Sequence, residues 1–240
     1  MSLARAAPLP PPRVVVFDLD GTLLDSVGDL TFAVNEVMRA RDRAPWPQQQ
    51  VRAWVGEGAD LLIARCLTGG FEDRAAPHDV AAALAEFRSV YIDRCWVDST
   101  LLPGALEAMD DVRARGIATA VLTNKPSAPT RRIMEHFEIM SRVDGWLGGD
   151  AAVGRKPDPA PLLALAADAL RETPDPATIW MIGDSVTDIA TAKNAGAVAI
   201  AVRGGYDDAA PIDRCTPRPD RTIDRLSELG RLIEAFAPLR

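Results

Sequence analysis

Val14-Val15-Val16-Phe17-Asp18-Leu19-Asp20-Gly21-Thr22 is the most informative stretch of the chain. Its first four residues are β-branched or aromatic and leave no polar face. That is the pattern of a parallel strand covered by helices on both sides. The run then stops at two aspartates. Asp18 and Asp20 are two residues apart, so in extended backbone they face the same side. Gly21 permits a sharp turn after them. Side-by-side carboxylates repel, so a site built from them calls for a cation, and Mg²⁺ is the hard-cation choice for carboxylate oxygens.

Outward from this strand, similar apolar runs recur at Ala118–Leu122, Ile179–Ile182 and Val198–Val202, with a weaker one at Trp146-Leu147. Helical patterns lie between them. One runs through Leu106, Met109 and Val112 to a capping Gly116, and another through Leu162, Leu165, Ala166 and Leu170. Strands alternating with helices predict an α/β fold with a doubly wound, Rossmann-like parallel sheet. From Asp25 to Leu101 the alternation fails. Thr31–Arg41, Pro47–Leu67 and His78–Cys95 all read as helix, so this stretch is predicted to be a helical insertion with hinges at both junctions. Residues 1–12, rich in Ala and Pro, read as a disordered lead-in.

Open parallel sheets bind ligands at the carboxyl ends of their strands, and the polar residues cluster there. After Ile182 come Gly183-Asp184-Ser185 and then Asp188; a helix starting near Ser185 places Asp184 and Asp188 about one turn apart. Asp18, Asp20, Asp184 and Asp188 thus form a candidate metal set drawn from two strand ends. Thr123 and Asn124 follow the second strand, where a hydroxyl and an amide at a helix N-terminus suit phosphate oxygens. Lys156, between glycine and the stiffening prolines Pro157 and Pro159, can present an ammonium to a bound phosphate. Taken singly, an aspartate pair after a strand reads as a turn, and Lys-Pro-Asp-Pro as a loop. Their joint occurrence, each at a strand end, points to a site.

These segments resemble the haloacid dehalogenase-like hydrolases. Asp18 to Ser26, Leu122 to Lys125, Lys156-Pro157 and Gly183 to Asp188 correspond to that superfamily's four motifs, in order. A finer resemblance, to phosphoglycolate phosphatases, rests on Val51 to Leu62, Thr123 to Pro126, Gly148 to Asp150 and Lys156 to Pro159. The resemblance implies a catalytic core over 13–24 and 102–240 and a helical cap over 25–101. It also implies that Asp18 is the nucleophile forming an aspartyl-phosphate and Asp20 the general acid and base. Mg²⁺ is then held by Asp18, the Asp20 carbonyl, Asp184 and, through water, Asp188. Thr123, Asn124 and Lys156 hold phosphate oxygens, while Arg52, Glu57 and the Gly56–Gly58 loop are candidates to contact the organic part of the substrate. The implied substrate is a small phosphate monoester, 2-phosphoglycolate first; another sugar phosphate or nucleotide, or a phosphoglucomutase-like isomerisation, are the alternatives.

Bulk composition agrees with this class. The 240 residues are 48% apolar, enough for a sizeable core, and the net charge of −7 argues against a nucleic-acid partner. No apolar run approaches a membrane span, and no signal-peptide pattern stands at the N-terminus. Cys66, Cys95 and Cys215 lack paired spacing and read as reduced thiols, which predicts a cytoplasmic protein. Monomer and homodimer both remain open.

Overall fold

The computed structural model describes residues 8–71, 75–206 and 212–236, apart from the side chain of Asp213. Strand β1 (Val14–Phe17) lies in the middle of a six-stranded sheet with β4 (Ala118–Leu122) on one side and β6 (Ile179–Gly183) on the other. The order is β5-β4-β1-β6-β7-β8, where β5 is Gly145–Leu147, β7 Val198–Val202 and β8 Arg221–Ile223, and every pairing is parallel. β1 is buried on both faces because alternate side chains enter separate cores. Val14 and Val16 pack with Leu162 and Leu165 of α7 (Ala160–Leu170) and with Ile189 and Ala192 of α8 (Val186–Ala195). Val15 and Phe17 share the other core with Met109 and Val112 of α5 (Ala105–Ala114) and Ile233 of α9 (Leu229–Phe236).

From β4 the chain winds outward to β5, with α6 (Ser127–His136) between them. It then returns across the sheet to β6 and winds the other way. The reversal opens a crevice at the carboxyl ends of β4, β1 and β6, the usual ligand position in such sheets.

A run of helices stands between β1 and β4. It contains α1 (Val27–Arg39), α2 (Gln48–Arg52), α3 (Ala59–Thr68) and α4 (Pro77–Ile92). Leu30, Val34 and Val37 of α1 pack with Leu62, Ile63 and Phe87 around Trp54. Two details differ from the sequence reading. The helix expected over Pro47–Leu67 is two, broken at a loop where Gly56 and Gly58 have φ of +122° and +105°, values that side-chain-bearing residues rarely adopt. The junctions also carry a short antiparallel ribbon, β2 (Leu24–Asp25) against β3 (Thr100–Leu101), which ties entry to exit.

Part of the lead-in is also docked. Residues 1–7 lie outside the described residues, but Trp180 Nε1 donates to the Pro10 carbonyl (3.0 Å), Leu9 packs on the core and Pro12 is buried. The expectation of disorder is therefore corrected for residues 8–12: Trp180 needs a partner for its indole N–H, and this segment supplies it. No helix among the described residues is long and apolar enough to cross a membrane.

Candidate active site

Asp18 stands at the end of β1, with its N–H donating to Ile182 O (2.9 Å), so β1 and β6 deliver their terminal acids side by side. The chain then turns within Leu19–Leu24, and the N–H groups of Leu23 and Leu24 both donate to Leu19 O. Gly21 sits in this turn at φ +86°, and a Cβ on it would meet Asp184 Oδ2 at 2.3 Å. The turn brings Thr22 Oγ1 to Asp184, where it donates to Oδ1 (2.7 Å).

At the end of β6, Ser185 caps α8 and forms a reciprocal capping box with Asp188. The expected helix start near Ser185 is therefore present, and it fixes Asp188 beneath Asp184. Ligand oxygens of Asp18, Asp184 and Asp188, all buried, lie within 4.8 Å of one another. Lys156 reaches this cluster from the loop before α7: its Nζ is 2.7 Å from Asp18 Oδ1 and 2.6 Å from Asp188 Oδ1.

Burial pushes the Asp18 carboxyl well above its usual range, and Asp188 and Asp184 push it further against the pull of Lys156. Asp184 is raised to about 7 by burial and by Asp188, against the bonds from Thr22 and the Tyr206 N–H. Burial opposes the charge on Lys156, yet Asp18 and Asp188 hold its pKa above the ordinary value. The acids outnumber the ammonium in a dry setting, so the cluster carries an uncompensated demand for positive charge. An all-oxygen carboxylate set with that demand suits a hard divalent cation.

Asp20 faces a different environment. Ser26 Oγ donates to its Oδ1 (2.5 Å), and Lys125 Nζ lies 3.0 Å from the same oxygen. Of the four acids grouped by spacing, Asp18, Asp184 and Asp188 form the close carboxylate cluster and the Asp20 side chain does not join it. Thr123 is buried at the end of β4, and its Oγ1 accepts from the Lys125 N–H (3.1 Å).

A cavity of about 490 Å³ lies between the strand ends and the insertion. Asp18, Asp20, Thr123 and Lys125 line it from the sheet side; Val55, Gly56, Leu62, Phe87, Arg88 and Tyr91 line it from the helices.

Three sequence expectations change here. Asn124 borders the cavity, but its side-chain Nδ2 donates to Gly56 O and Lys156 O (3.1 Å each), so both amide donors tie loops together and neither is left for phosphate. Arg52 is absent from the cavity wall: its Nη2 donates to Gly205 O (2.5 Å) and its guanidinium covers the Tyr206 ring at 4.8 Å. Glu57 is likewise off the wall and pairs with Arg65. Lys125, Arg88 and Tyr206 were not singled out from sequence. Lys125 adjoins Thr123-Asn124 and could have been read as a second cation; nothing local marks the other two.

A parallel α/β sheet with an acidic cluster at its switch point and an inserted helical roof is the architecture of a phosphoryl-handling hydrolase. The chain belongs to the haloacid dehalogenase-like hydrolase family, whose sequence model matches residues 12–196, and it is a phosphoric monoester hydrolase of the phosphoglycolate phosphatase-like group. It is 41% identical over 198 residues to a phosphoglycolate phosphatase of Rhodospirillum rubrum, covering 81% of each chain. It is 36% identical to phosphoglycolate phosphatase 1 of Pseudomonas aeruginosa, covering 91% of this chain and 78% of that one. A crystal structure described as a predicted phosphoglycolate phosphatase from Haemophilus somnus superposes with a TM-score of 0.83 at 28% identity, over 92% of this chain and 97% of that one.

Proposed function

We propose that the protein is a Mg²⁺-dependent phosphatase that hydrolyses 2-phosphoglycolate to glycolate and phosphate through an aspartyl-phosphate. The observation that carries this reading is the cluster of Asp18 with Lys156, Asp184 and Asp188, buried behind a cavity wall to which Asp18 and Asp20 both belong.

Asp18 is the nucleophile, its carboxylate held beside the Lys156 ammonium so that an oxygen can meet phosphorus. Asp20 protonates the departing alkoxide and then takes a proton from the water that cleaves the intermediate. Thr123 and Lys125 on the cavity wall, with Lys156 beside Asp18, offer donors to the phosphoryl oxygens. Asp18, Asp184 and Asp188 are the side chains that hold the cation, whose charge offsets that of the phosphoryl group. Helices α1–α4, within 25–101, act as a cap hinged on the β2–β3 ribbon and keep bulk water from the intermediate. Arg88 on the cap wall offers a cation to the substrate's carboxylate. The buried thiols Cys66, Cys95 and Cys215 fit the reducing cytoplasm.

The test is phosphate release from a panel of small monoesters, with Mg²⁺ and with chelator, by wild type and Asp18→Asn. Mg²⁺-dependent release that Asp18→Asn abolishes, with 2-phosphoglycolate preferred, is the expected result. Full activity in chelator, or an active Asp18→Asn enzyme, overturns the mechanism; an even spread over the panel overturns the substrate.

A further inference from the structure

The loop after β7 contributes one residue, off the cavity wall, that is bonded into both halves of the site, by its side chain to one and by its backbone to the other. The Tyr206 phenol is buried beneath the start of α1. It accepts the Ser26 N–H (2.5 Å), donates to Asp25 Oδ1 (2.9 Å) and lies 3.4 Å from Ser26 Oγ. Ser26 is wholly buried, and its single hydroxyl proton goes to Asp20 Oδ1 (2.5 Å). The backbone of the same tyrosine serves the other half: its N–H donates to Asp184 Oδ2 (2.7 Å).

The cap holds this tyrosine. Arg52, at the end of α2, donates to Gly205 O at 2.5 Å and lays its guanidinium on the Tyr206 ring. Just beyond Arg52 the chain enters the Val55–Gly58 loop, which lines the cavity. The clasp therefore joins the seated cap to the residue that braces Ser26.

The geometry points to Tyr206 as a positioning residue that orients Asp20 through Ser26, with Arg52 making that orientation depend on cap seating. This rests on the reading of Asp20 as the proton donor. The physical reason is the pair of anchors on Asp20. Both Ser26 Oγ and Lys125 Nζ act on Oδ1, and Lys125 is itself bonded to Tyr91 of the cap (2.6 Å). Without the phenol, the Ser26 N–H is buried with no acceptor, Ser26 shifts, and Lys125 alone pulls the carboxylate toward Tyr91.

A misplaced proton donor has a signature that a general loss of structure lacks. An alkoxide leaving group needs a proton; p-nitrophenolate departs without one. The experiment compares wild type, Tyr206→Phe and Arg52→Ala on 2-phosphoglycolate and on p-nitrophenyl phosphate, with Mg²⁺ saturating. General acid assistance is worth roughly 10²–10⁴-fold, so partial misplacement in Tyr206→Phe should lower kcat on 2-phosphoglycolate about 10- to 100-fold with KM nearly constant. The first-turnover burst of p-nitrophenolate should change by less than about 3-fold, because nucleophile and cation site are untouched and this leaving group needs no proton; the later hydrolysis of the aspartyl-phosphate, common to both substrates, is left out of the comparison. The Mg²⁺ concentration for half-activity should be unchanged, since phenylalanine keeps the N–H on Asp184. Arg52→Ala should show the same substrate-selective loss, smaller in size.

Equal loss of the first-turnover rate on both substrates, or none on either, overturns the assignment. A rise in KM rather than a fall in kcat for Arg52→Ala would make Arg52 a substrate ligand and likewise overturns its role. A wild type inactive on both substrates refutes the phosphatase reading itself and removes the basis for the proposal. That outcome shows in the wild-type lane and is thereby distinct from failure of the tyrosine's role.

Discussion

Replacing Lys156 with methionine keeps most of the side-chain volume and deletes the charge that Asp18 and Asp188 share. The lysine side chain is 1% exposed, with oxygens at 2.7 and 2.6 Å. At an effective dielectric of about 20, each contact is worth roughly 6 kcal/mol of Coulomb attraction, and burying the ammonium costs several kcal/mol of it. Removing one partner of a buried ion pair typically costs about 3–5 kcal/mol. A domain of this size shifts by about 2–4 °C per kcal/mol, so the melting temperature in chelator at pH 8 should fall by about 6–20 °C. The sign of the pH dependence follows from burial. Asp18 and Asp184 titrate in the fold well above their ordinary values, Asp184 near 7 even with the lysine present. A carboxyl whose folded pKa is raised contributes its stability below the unfolded pKa and loses it as pH rises through the folded one. The deficit of the variant should therefore shrink at pH 5.5, where protons replace the missing charge. Adding Mg²⁺ at pH 8 should recover part of it. Calorimetry at both pH values, with chelator and with Mg²⁺, reads all of these. A melting temperature within about 2 °C of wild type in chelator at pH 8, or a deficit equal at both pH values, would refute the buried ion pair as the source of stability.

Mg²⁺ affinity, measured by calorimetric titration, should tighten as pH rises from 6 to 8, because protons and cation compete for Asp18 and Asp184; a flat profile counts against the cluster as the metal site. Gly205→Ala would place a Cβ 2.1 Å from Asp184 Oδ2, so Mg²⁺ binding should weaken at least about 10-fold although no ligand is removed. Unchanged affinity would show that the loop yields without moving Asp184. Arg88→Leu should raise KM for 2-phosphoglycolate by about 10-fold or more, as loss of a charge-assisted contact predicts, and leave p-nitrophenyl phosphate unaffected. An equal effect on both removes Arg88 from carboxylate recognition.

The sheet was largely legible because its central strands are buried on both faces and so read as unbroken apolar runs: Val14–Phe17, Ala118–Leu122, Ile179–Gly183 and Val198–Val202 all appear. β8 was not, since Arg221-Thr222-Ile223 is short and only Ile223 is fully buried. The apolar period alone runs through Gly56 and Gly58 as one helix; the loop there came only with the family resemblance, and the backbone shows its cause, both glycines at positive φ.

In the site, local chemistry marked Asp18, Asp20, Asp184 and Asp188, since a strand end and a helix cap place each acid by geometry spanning a few residues. What they meet could not be read that way. Lys156 bonds Asp188 across 32 positions, Tyr206 bonds Ser26 across 180, and Arg52 reaches Gly205 across 153. Arg52 shows the difference most plainly. Its place on a cap helix made it a candidate for substrate, and the fold turned it toward a carbonyl and an aromatic ring in the core instead. Strand periodicity, turns and caps are short-range effects written into neighbouring residues. The partner of a long side chain depends on which elements the packed core brings alongside it, and that is decided only when the whole chain is folded.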